Sequence, residues 1–378
     1  MDLPQLNPDI PHLADLVPSV LSAMGVAGFD GPIPLPDGIA GACVLLIDGL
    51  GAELLDAYAD DAPVLSSLRG RTLQVGFPST TVAGLAAVGT GCRSGEHGMV
   101  GLSFRLSAAD VVNALGWRPH PTGRDLREKF PPEQVQPMPT TFERAAAAGL
   151  AVSVISGAQF NGSGLTRAVL RGGRYVGVHA LGDLAACVQS AITDGGFCYG
   201  YHSELDLLGH VYGPGSTAWR LQLRQVDRLV ESIVDGLPAG GLLAVVADHG
   251  MVSIDAAEAV DIDASEPLMD GVKAIGGEPR ARHVYVADGA ADAVLAAWRE
   301  TLAQQAWVVS RDEAIAAGWF GEEVGDDARF RIGDVVAAAR GNAAMMRRTA
   351  EPLLSALIGQ HGSLTAAEQR VPLLLAYG

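Results

Sequence analysis

The sequence predicts an α/β fold: a doubly wound, mainly parallel sheet with helices on both faces, joined by a small α/β insertion. Three observations predict it. The runs ACVLLID (42–48), LAVSVIS (150–156), GFCYGYH (196–202), LLAVVAD (242–248) and VPLLLAY (371–377) are apolar on both faces, as strands are when helices cover a sheet from either side. Helical patterns alternate with them, among them TTFERAAAAG, LGDLAACVQSAIT and STAWRLQLRQVDRLVESIVDGL. Polar clusters follow the strands, where a sheet of this kind gathers its site.

Each element has a local reason. The opening MDLPQLNPDIPHLADLVPSVLSAMG lacks the basic and then continuously apolar regions of a signal peptide, and no stretch reaches the roughly 18 to 20 apolar residues of a membrane span. A cytoplasmic protein with no membrane partner is expected. In VGFPSTTVAGLAAVGTG (75–91), Pro78 drives the residues before it out of helical geometry, and Ser79, Thr80 or Thr81 can cap the helix that follows. A threonine at that helix start holds its hydroxyl in the positive field of unpaired N–H groups. APVLSSLRGR and the proline-rich GWRPHPTGRDLREKFPPEQVQPMPT (116–140) read as surface excursions, the second a candidate lid. After about residue 270 come shorter and more polar units, RHVYVAD, DAVLAAWRETLAQQ, AWVVSRDEAIAAG and FRIGDVVAAARG. The expected division is a catalytic core of residues 1–271 and 341–378, with 272–340 as an α/β insertion or cap.

Composition narrows the function. A chain of 378 residues, 48% of them hydrophobic, can bury a large core. Its net charge of −17 and its lack of any Lys/Arg-rich run exclude a nucleic-acid polymer as partner, though not a small anion held by local cations. Cys43, Cys92, Cys187 and Cys198 lack CxxC spacing, which fits free thiols rather than disulfides or a cysteine metal site.

Four polar clusters carry the chemistry. LLIDGLG places Asp48 after the first apolar run, and YHSELDLLGHVYG sets Asp206 and His210 on one face of a helical turn. VVADHGM places Asp248 and His249 at a strand end, and IGQHGSLT places His361 between glycines. Singly, Asp48 reads as a helix cap, Asp206–His210 as a surface pair and His361 as a turn histidine. Gathered without Lys or Arg, three carboxylates and three imidazoles would repel one another and be poorly solvated, whereas divalent cations supply the missing charge. Two such ions outweigh the carboxylates, attract a small phosphate ester and stabilise a threonine alkoxide. The mixed histidine and aspartate set suits Zn2+, with Mn2+ or Fe as alternatives, better than Mg2+ with its all-oxygen octahedron.

LLIDGLG, the threonine turn ahead of VGTGCRSGEHGMVG, DLLGHVYGPGS, VVADHGM and HGSLT occur in this order over about residues 42–375. Together they resemble the type I phosphodiesterase/nucleotide pyrophosphatase branch of the alkaline phosphatase superfamily. The resemblance implies an alkaline-phosphatase-like core with one zinc on Asp48, Thr81, Asp248 and His249 and a second on Asp206, His210 and His361. It implies a catalytic threonine nine positions before that of the TG pair; counting back from Thr90 gives Thr81, where the residues alone leave Thr80 open. The implied activity is a phosphodiesterase or nucleotide pyrophosphatase working through a phospho-threonine. Where the family carries TFPN and an asparagine some twenty positions later, this chain reads GMVGLSF, and Asn161 in AQFNGSGLT is the substitute candidate for binding substrate. His97, His202 and His283 read as turn or strand-end residues, with His283 also a candidate for touching substrate, while His12, His120 and His179 read as peripheral and Arg93 as solvent-facing. The alternative readings are a phosphonate hydrolase or phosphomutase of the same superfamily, and a non-catalytic phosphate-ester binding protein.

Overall fold

The apolar runs lie side by side because each buries both faces. The computed structural model describes residues 3–378; residues 1 and 2, the acidic start of the chain, lie outside the described residues. In chain order the strands of the two main sheets are β1 (Gly41–Ile47), β2 (Arg69–Gln74), β3 (Val152–Gly157), β4 (Arg174–Val178), β5 (Phe197–His202), β6 (Gly241–Val246), β7 (Val272–Glu278), β8 (Ala281–Val286), β9 (Ala306–Ser310), β10 (Val335–Ala339) and β11 (Arg370–Tyr377). The first sheet runs β2-β11-β6-β1-β5-β3-β4 and the second β7-β8-β10-β9. Every residue of β1 and β6 is buried, as expected of strands at the centre of a covered sheet.

Pairing within the first sheet is mainly parallel. Val44 of β1 sits opposite Tyr199 of β5 on one side and Ala244 of β6 on the other, both in parallel register. Strand β3 pairs parallel with β5 and with β4. Strand β11 is the exception, antiparallel to both β6 and β2. Two edge strands escape the sequence pattern: RGRTLQ pairs with β11 where only a surface excursion is expected, and RYVGV forms β4. Both lack a continuous apolar run because an edge strand is only partly covered.

Helices α1 (Thr81–Thr90), α2 (Glu204–Tyr212) and α3 (Thr217–Asp235) matter most for the site. All ten residues of α1 are buried, so it is a core helix rather than an amphipathic one. It comes close enough to the turn after β6 that a Cβ on Gly84 would stand 2.5 Å from Asp248 Cβ. Helix α3 shows the opposite design, with Leu223, Val226, Val230 and Ile233 buried along one stripe.

The second sheet has its own apolar cluster, including Ile275, Val284, Val294, Trp298 and Val335. Its β7–β8 hairpin is tied to the rest of the chain by two buried ion pairs. Arg280 Nε meets Glu368 Oε1 at 2.7 Å with both side chains fully buried, and Arg282 Nη1 meets Glu351 Oε2 at 2.9 Å. Just ahead of the proline-rich segment, Ser103–Arg105 and Val111–Asn113 form a small sheet that the segment's own Arg118–Pro119 joins as third strand, and Ser103 Oγ donates to Gly277 O at 3.0 Å. His120 is likewise buried rather than peripheral, with Nε2 2.8 Å from Glu351 Oε1.

Removing one member of a buried pair leaves the other charge unpaired. Glu368→Ala is therefore expected to cost about 3–5 kcal/mol in urea unfolding, whereas Asp288→Ala, which breaks the exposed Lys273–Asp288 pair, leaves the midpoint unchanged. Similar midpoints for the two variants would contradict this.

Candidate metal centre

Three adjacent parallel strands deliver the carboxylates. Asp48 follows β1, Asp248 follows β6 by two residues, and Asp206 lies in the first turn of α2, which follows β5. Strand β1 lies between β5 and β6, so the three carboxylates come from neighbouring strand ends. The antiparallel β11 begins at this same end of the sheet, and the loop ahead of it brings His361. Strand β2 ends there as well and leads through Phe77–Pro78 to Thr81, the first residue of α1.

All seven residues expected at the site are brought together. His249 Nε2 lies 3.3 Å from Asp48 Oδ1, 3.6 Å from Asp248 Oδ2 and 3.2 Å from Thr81 Oγ1. His210 Nε2 lies 3.3 Å from Asp206 Oδ2 and 3.2 Å from His361 Nε2, and His361 Nε2 lies 3.8 Å from Asp206 Oδ1. The His249 and His361 rings stack with centroids 3.6 Å apart and join the two halves. Two ligand sets have their donor atoms within 4.8 Å of one another: Asp48, Asp248 and His249, and Asp206, His249 and His361. His249 thus stands between the halves rather than wholly in one.

The donor atoms fit cations. Asp48 Oδ1, Asp206 Oδ1 and Asp248 Oδ2 are buried without a hydrogen-bond partner. Burial, reinforced by the neighbouring Asp248 and Asp206 carboxylates, pushes the Asp48 carboxyl well above its usual range, and burial likewise raises Asp206 and Asp248. Each histidine turns Nδ1 to a backbone carbonyl: His210 to Gly359 O at 2.7 Å, His249 to Gly250 O at 3.0 Å and His361 to Ser79 O at 2.9 Å. A ring nitrogen facing a carbonyl carries the proton, which leaves the Nε2 lone pairs pointing inward, as in histidines that bind a metal. Burial also holds His249 and His361 below the ordinary imidazole value, so both are neutral at physiological pH. His210 Nε2 and His361 Nε2 face each other at 3.2 Å, a spacing that two ligands of one cation can share.

The simpler readings fail at three positions. Asp48 caps no helix, since Gly51 occupies the N-cap of the next one and the Tyr201 hydroxyl donates to Asp48 Oδ2. Asp206 and His210 are not a surface pair, with side-chain exposures of 14% and 17%. Thr80 takes the N-cap position of α1 but makes no capping bond with its side chain, which donates to Glu278 Oε2 at 2.9 Å.

Other expected residues lie elsewhere. His283 is a structural residue: its Nε2 lies 2.8 Å from Val100 O, and its Nδ1 accepts from Gly333 N at 3.1 Å. Arg93 pairs with Asp15 at 2.8 Å instead of facing solvent alone. Asn161 sits on an exposed turn directly after Phe160, whose ring meets that of Tyr201 edge-on at 6.0 Å. Two residues at the site escape sequence reasoning. Tyr201 hides within an apolar strand, and Glu278 lies at the end of β7, far in sequence from every motif. Burial pushes the Glu278 carboxyl up to about 8.

The type I phosphodiesterase / nucleotide pyrophosphatase family matches residues 42–364 of the chain. A search of the curated proteins finds no match. Among solved structures, murine ectonucleotide pyrophosphatase / phosphodiesterase 5 aligns with TM-score 0.68 at 16% identity, over 89% of this chain and 88% of that one. An inactive variant of that murine protein, a threonine changed to alanine, in complex with AMP, aligns with TM-score 0.67 at 16% identity over the same shares. Phosphonoacetate hydrolase from Sinorhizobium meliloti 1021 in complex with phosphonoformate aligns with TM-score 0.64 at 20% identity, over 89% of each chain. These likenesses establish the alkaline-phosphatase-like fold.

The raised carboxyl at Glu278 sets a stability signature. A group whose folded pKa lies above its unfolded value contributes stability at low pH and loses it as pH rises through the folded pKa. Above the range where histidines titrate, chelator-treated protein should therefore lose about 1 kcal/mol between pH 7 and 9 from Glu278 alone. Thermal melts across that range check it; a stability that rises toward pH 9 would contradict it.

Proposed function

The chain belongs to the type I phosphodiesterase / nucleotide pyrophosphatase family, and from that premise we propose that it is a two-metal phosphoric ester hydrolase that cleaves phosphodiester or nucleotide pyrophosphate bonds through a phospho-threonine. One observation carries the reading: three buried carboxyl oxygens without hydrogen-bond partners share a cluster with three imidazole rings, and the Thr81 hydroxyl lies 3.2 Å from one of those rings, His249. Asp48, Asp248, His249 and Thr81 would hold one ion, and Asp206, His210 and His361 the other, zinc being the best match to this donor set. When bound, such ions supply the Lewis-acid charge that favours a threonine alkoxide and a developing phosphoryl anion.

The chain's own groups do the rest. Thr81 opens α1, where the unpaired N–H groups of the first turn favour negative charge on its oxygen and on a phosphoryl group beside it. Thr81 Oγ1 lies 3.2 Å from His249 Nε2, which sets the hydroxyl beside the ligand cluster; its proton passes to solvent as Oγ1 attacks phosphorus in line and the leaving alcohol or phosphate departs from the opposite side. Tyr201 fixes the orientation of Asp48, and the carbonyls of Gly359, Gly250 and Ser79 fix the three rings. The inactive threonine-to-alanine variant of the murine protein supports a catalytic threonine by analogy. Asn161, on the exposed turn after β3, is kept as the candidate to meet the substrate's phosphoryl group.

Charge favours a diester over a more highly charged monoester. Both lysines are engaged at the surface, Lys129 with Asp110 and Lys273 with Asp288. Arg280, Arg282 and Arg93 face Glu368, Glu351 and Asp15. No uncommitted cation stands ready for a second phosphate charge or a substrate carboxylate among these. A phosphonate hydrolase or phosphomutase at the same metal pair is the second reading, kept in view by the fold shared with phosphonoacetate hydrolase. We assign residues 1–271 and 341–378 to the catalytic core and 272–340 to the insertion. The four free cysteines suit a reducing, cytoplasmic setting, and no helix among the described residues is long and apolar enough to cross a membrane.

A panel of aryl phosphodiesters, dinucleoside pyrophosphates, aryl monoesters and phosphonates tests the assignment. Turnover of the first two classes is expected, and turnover of phosphonates alone would replace it with the second reading. Thr81→Ala should lower kcat on the order of 10⁴-fold or more, and a phosphorylated or nucleotidylated peptide containing Thr81 should be trapped from the parent enzyme. A Thr81→Ala variant with undiminished turnover would remove the covalent mechanism.

A further inference from the structure

We propose that Glu278 is a positioning residue that acts through the Thr80 hydroxyl to fix Thr81 against the metal-ligand cluster; this rests on the reading of Thr81 as nucleophile. Thr80 has extended backbone at the N-cap of α1, the usual posture of a capping residue, yet its hydroxyl leaves the helix end and donates to Glu278 Oε2 at 2.9 Å. Helix capping therefore does not explain its side chain. The Thr80 carbonyl accepts from Gly84 N at 2.9 Å, so anchoring Thr80 anchors the first turn of α1 and the residue between them and the cluster, Thr81.

Glu278 is an expensive residue at this place. It is 4% exposed, its Oε2 has the Thr80 hydroxyl as donor, and its Oε1 is buried without a hydrogen-bond partner. A leucine of similar volume would remove the desolvation cost and the orphaned oxygen. What the carboxyl provides is a fixed point between two segments that carry the chemistry. On one side is Thr80; on the other, Oε2 lies 4.0 Å from His361 Nδ1, and a Cβ on Gly362 would come within 2.9 Å of Glu278 Cγ. The segments are themselves laced together: Ser79 N donates to Gly362 O at 3.1 Å, Gly362 N to Ser79 Oγ at 3.2 Å, and Ser79 Oγ to Ser363 O at 2.8 Å.

The hairpin that carries Glu278 is itself held. Two residues on, Arg280 grips Glu368, whose Oε1 also accepts from Ser363 N at 3.0 Å. The backbone carbonyl of Glu368 accepts from Gly250 N at 2.9 Å, next to His249. Glu278 is thus fixed by the same bonds that fix the His361 and His249 loops, and its grip on Thr80 sets the nucleophile relative to them. A displacement of about 1 Å at such a point costs as much as 100-fold in rate.

Four variants decide the matter: Thr80→Val, Glu278→Gln, Glu278→Leu, and Thr80→Val with Glu278→Leu. Each is read by kcat and KM on a phosphodiester the parent turns over, by zinc content, by unfolding midpoint and by calorimetric binding of orthovanadate. Thr80→Val and Glu278→Leu should each lower kcat roughly 10- to 100-fold and weaken vanadate binding by a similar factor, with KM and zinc content unchanged. Glu278→Gln should stay within about threefold of the parent, because the amide oxygen accepts the same hydrogen bond. The double variant should be no worse than the poorer single one, since both remove one interaction. Parent-like kcat and vanadate affinity in Thr80→Val, a Glu278→Gln as impaired as Glu278→Leu, or additive losses would each overturn the positioning role alone. If Glu278→Leu does not fold, Thr80→Val and Glu278→Gln still decide it. A parent that neither turns over a phosphodiester nor binds vanadate would overturn the functional reading, and the positioning role with it.

Discussion

Three carboxyl groups, Asp48, Asp206 and Asp248, are held together away from water with no lysine or arginine among them. Burial raises all three, repulsion from neighbouring carboxylates adds to it at Asp48 and Asp248, and one oxygen of each has no hydrogen-bond partner. Such a cluster opposes folding unless something positive enters it. The fold nevertheless enforces it, because β5, β1 and β6 are neighbouring parallel strands and their carboxyl ends cannot separate without breaking the centre of the sheet. The most apolar part of the chain thus supports its most polar point.

Much of the surrounding structure follows from keeping that point in order. Three histidines are each oriented by a backbone carbonyl, which selects the tautomer whose free nitrogen faces inward. Helix α1 carries glycine at position 84, where any side chain would strike Asp248. The β7–β8 hairpin reaches across from the second sheet with a glutamate and two buried arginines, each arginine matched by a carboxylate. Buried ion pairs of this kind add little net stability, and their use here is geometric.

The sheet centre was legible in the sequence because its strands bury both faces and so read as unbroken apolar runs. The edge strands β2 and β4 were not, since RGRTLQ and RYVGV answer to solvent on one side. The direction of β11 was equally hidden: VPLLLAY looks the same parallel or antiparallel, yet only its antiparallel course carries His361 to the other ligands. Asp48, Asp206, His210, Asp248 and His249 were legible as polar residues just past apolar strands, a position chemistry uses and cores avoid. His361 was legible as a histidine between glycines ahead of the last strand, whereas the choice of Thr81 over Thr80 needed the family pattern, because local physics treats the two threonines alike. Glu278 gave no signal, as its partner Thr80 lies nearly two hundred residues away and only the folded hairpin joins them. His120 misled in the opposite sense, since a histidine between prolines does not announce that its ring meets a buried carboxylate.

The central claim is that the buried carboxylates exist to hold cations, and metal analysis tests it most directly. Protein stripped with chelator, reconstituted with zinc and freed of excess should carry two tightly bound ions per chain, and His361→Ala, folded but lacking one donor, should carry about one. Fewer than one ion in the parent protein under those conditions would contradict a metal centre and leave the three unpaired carboxyl oxygens without a physical explanation.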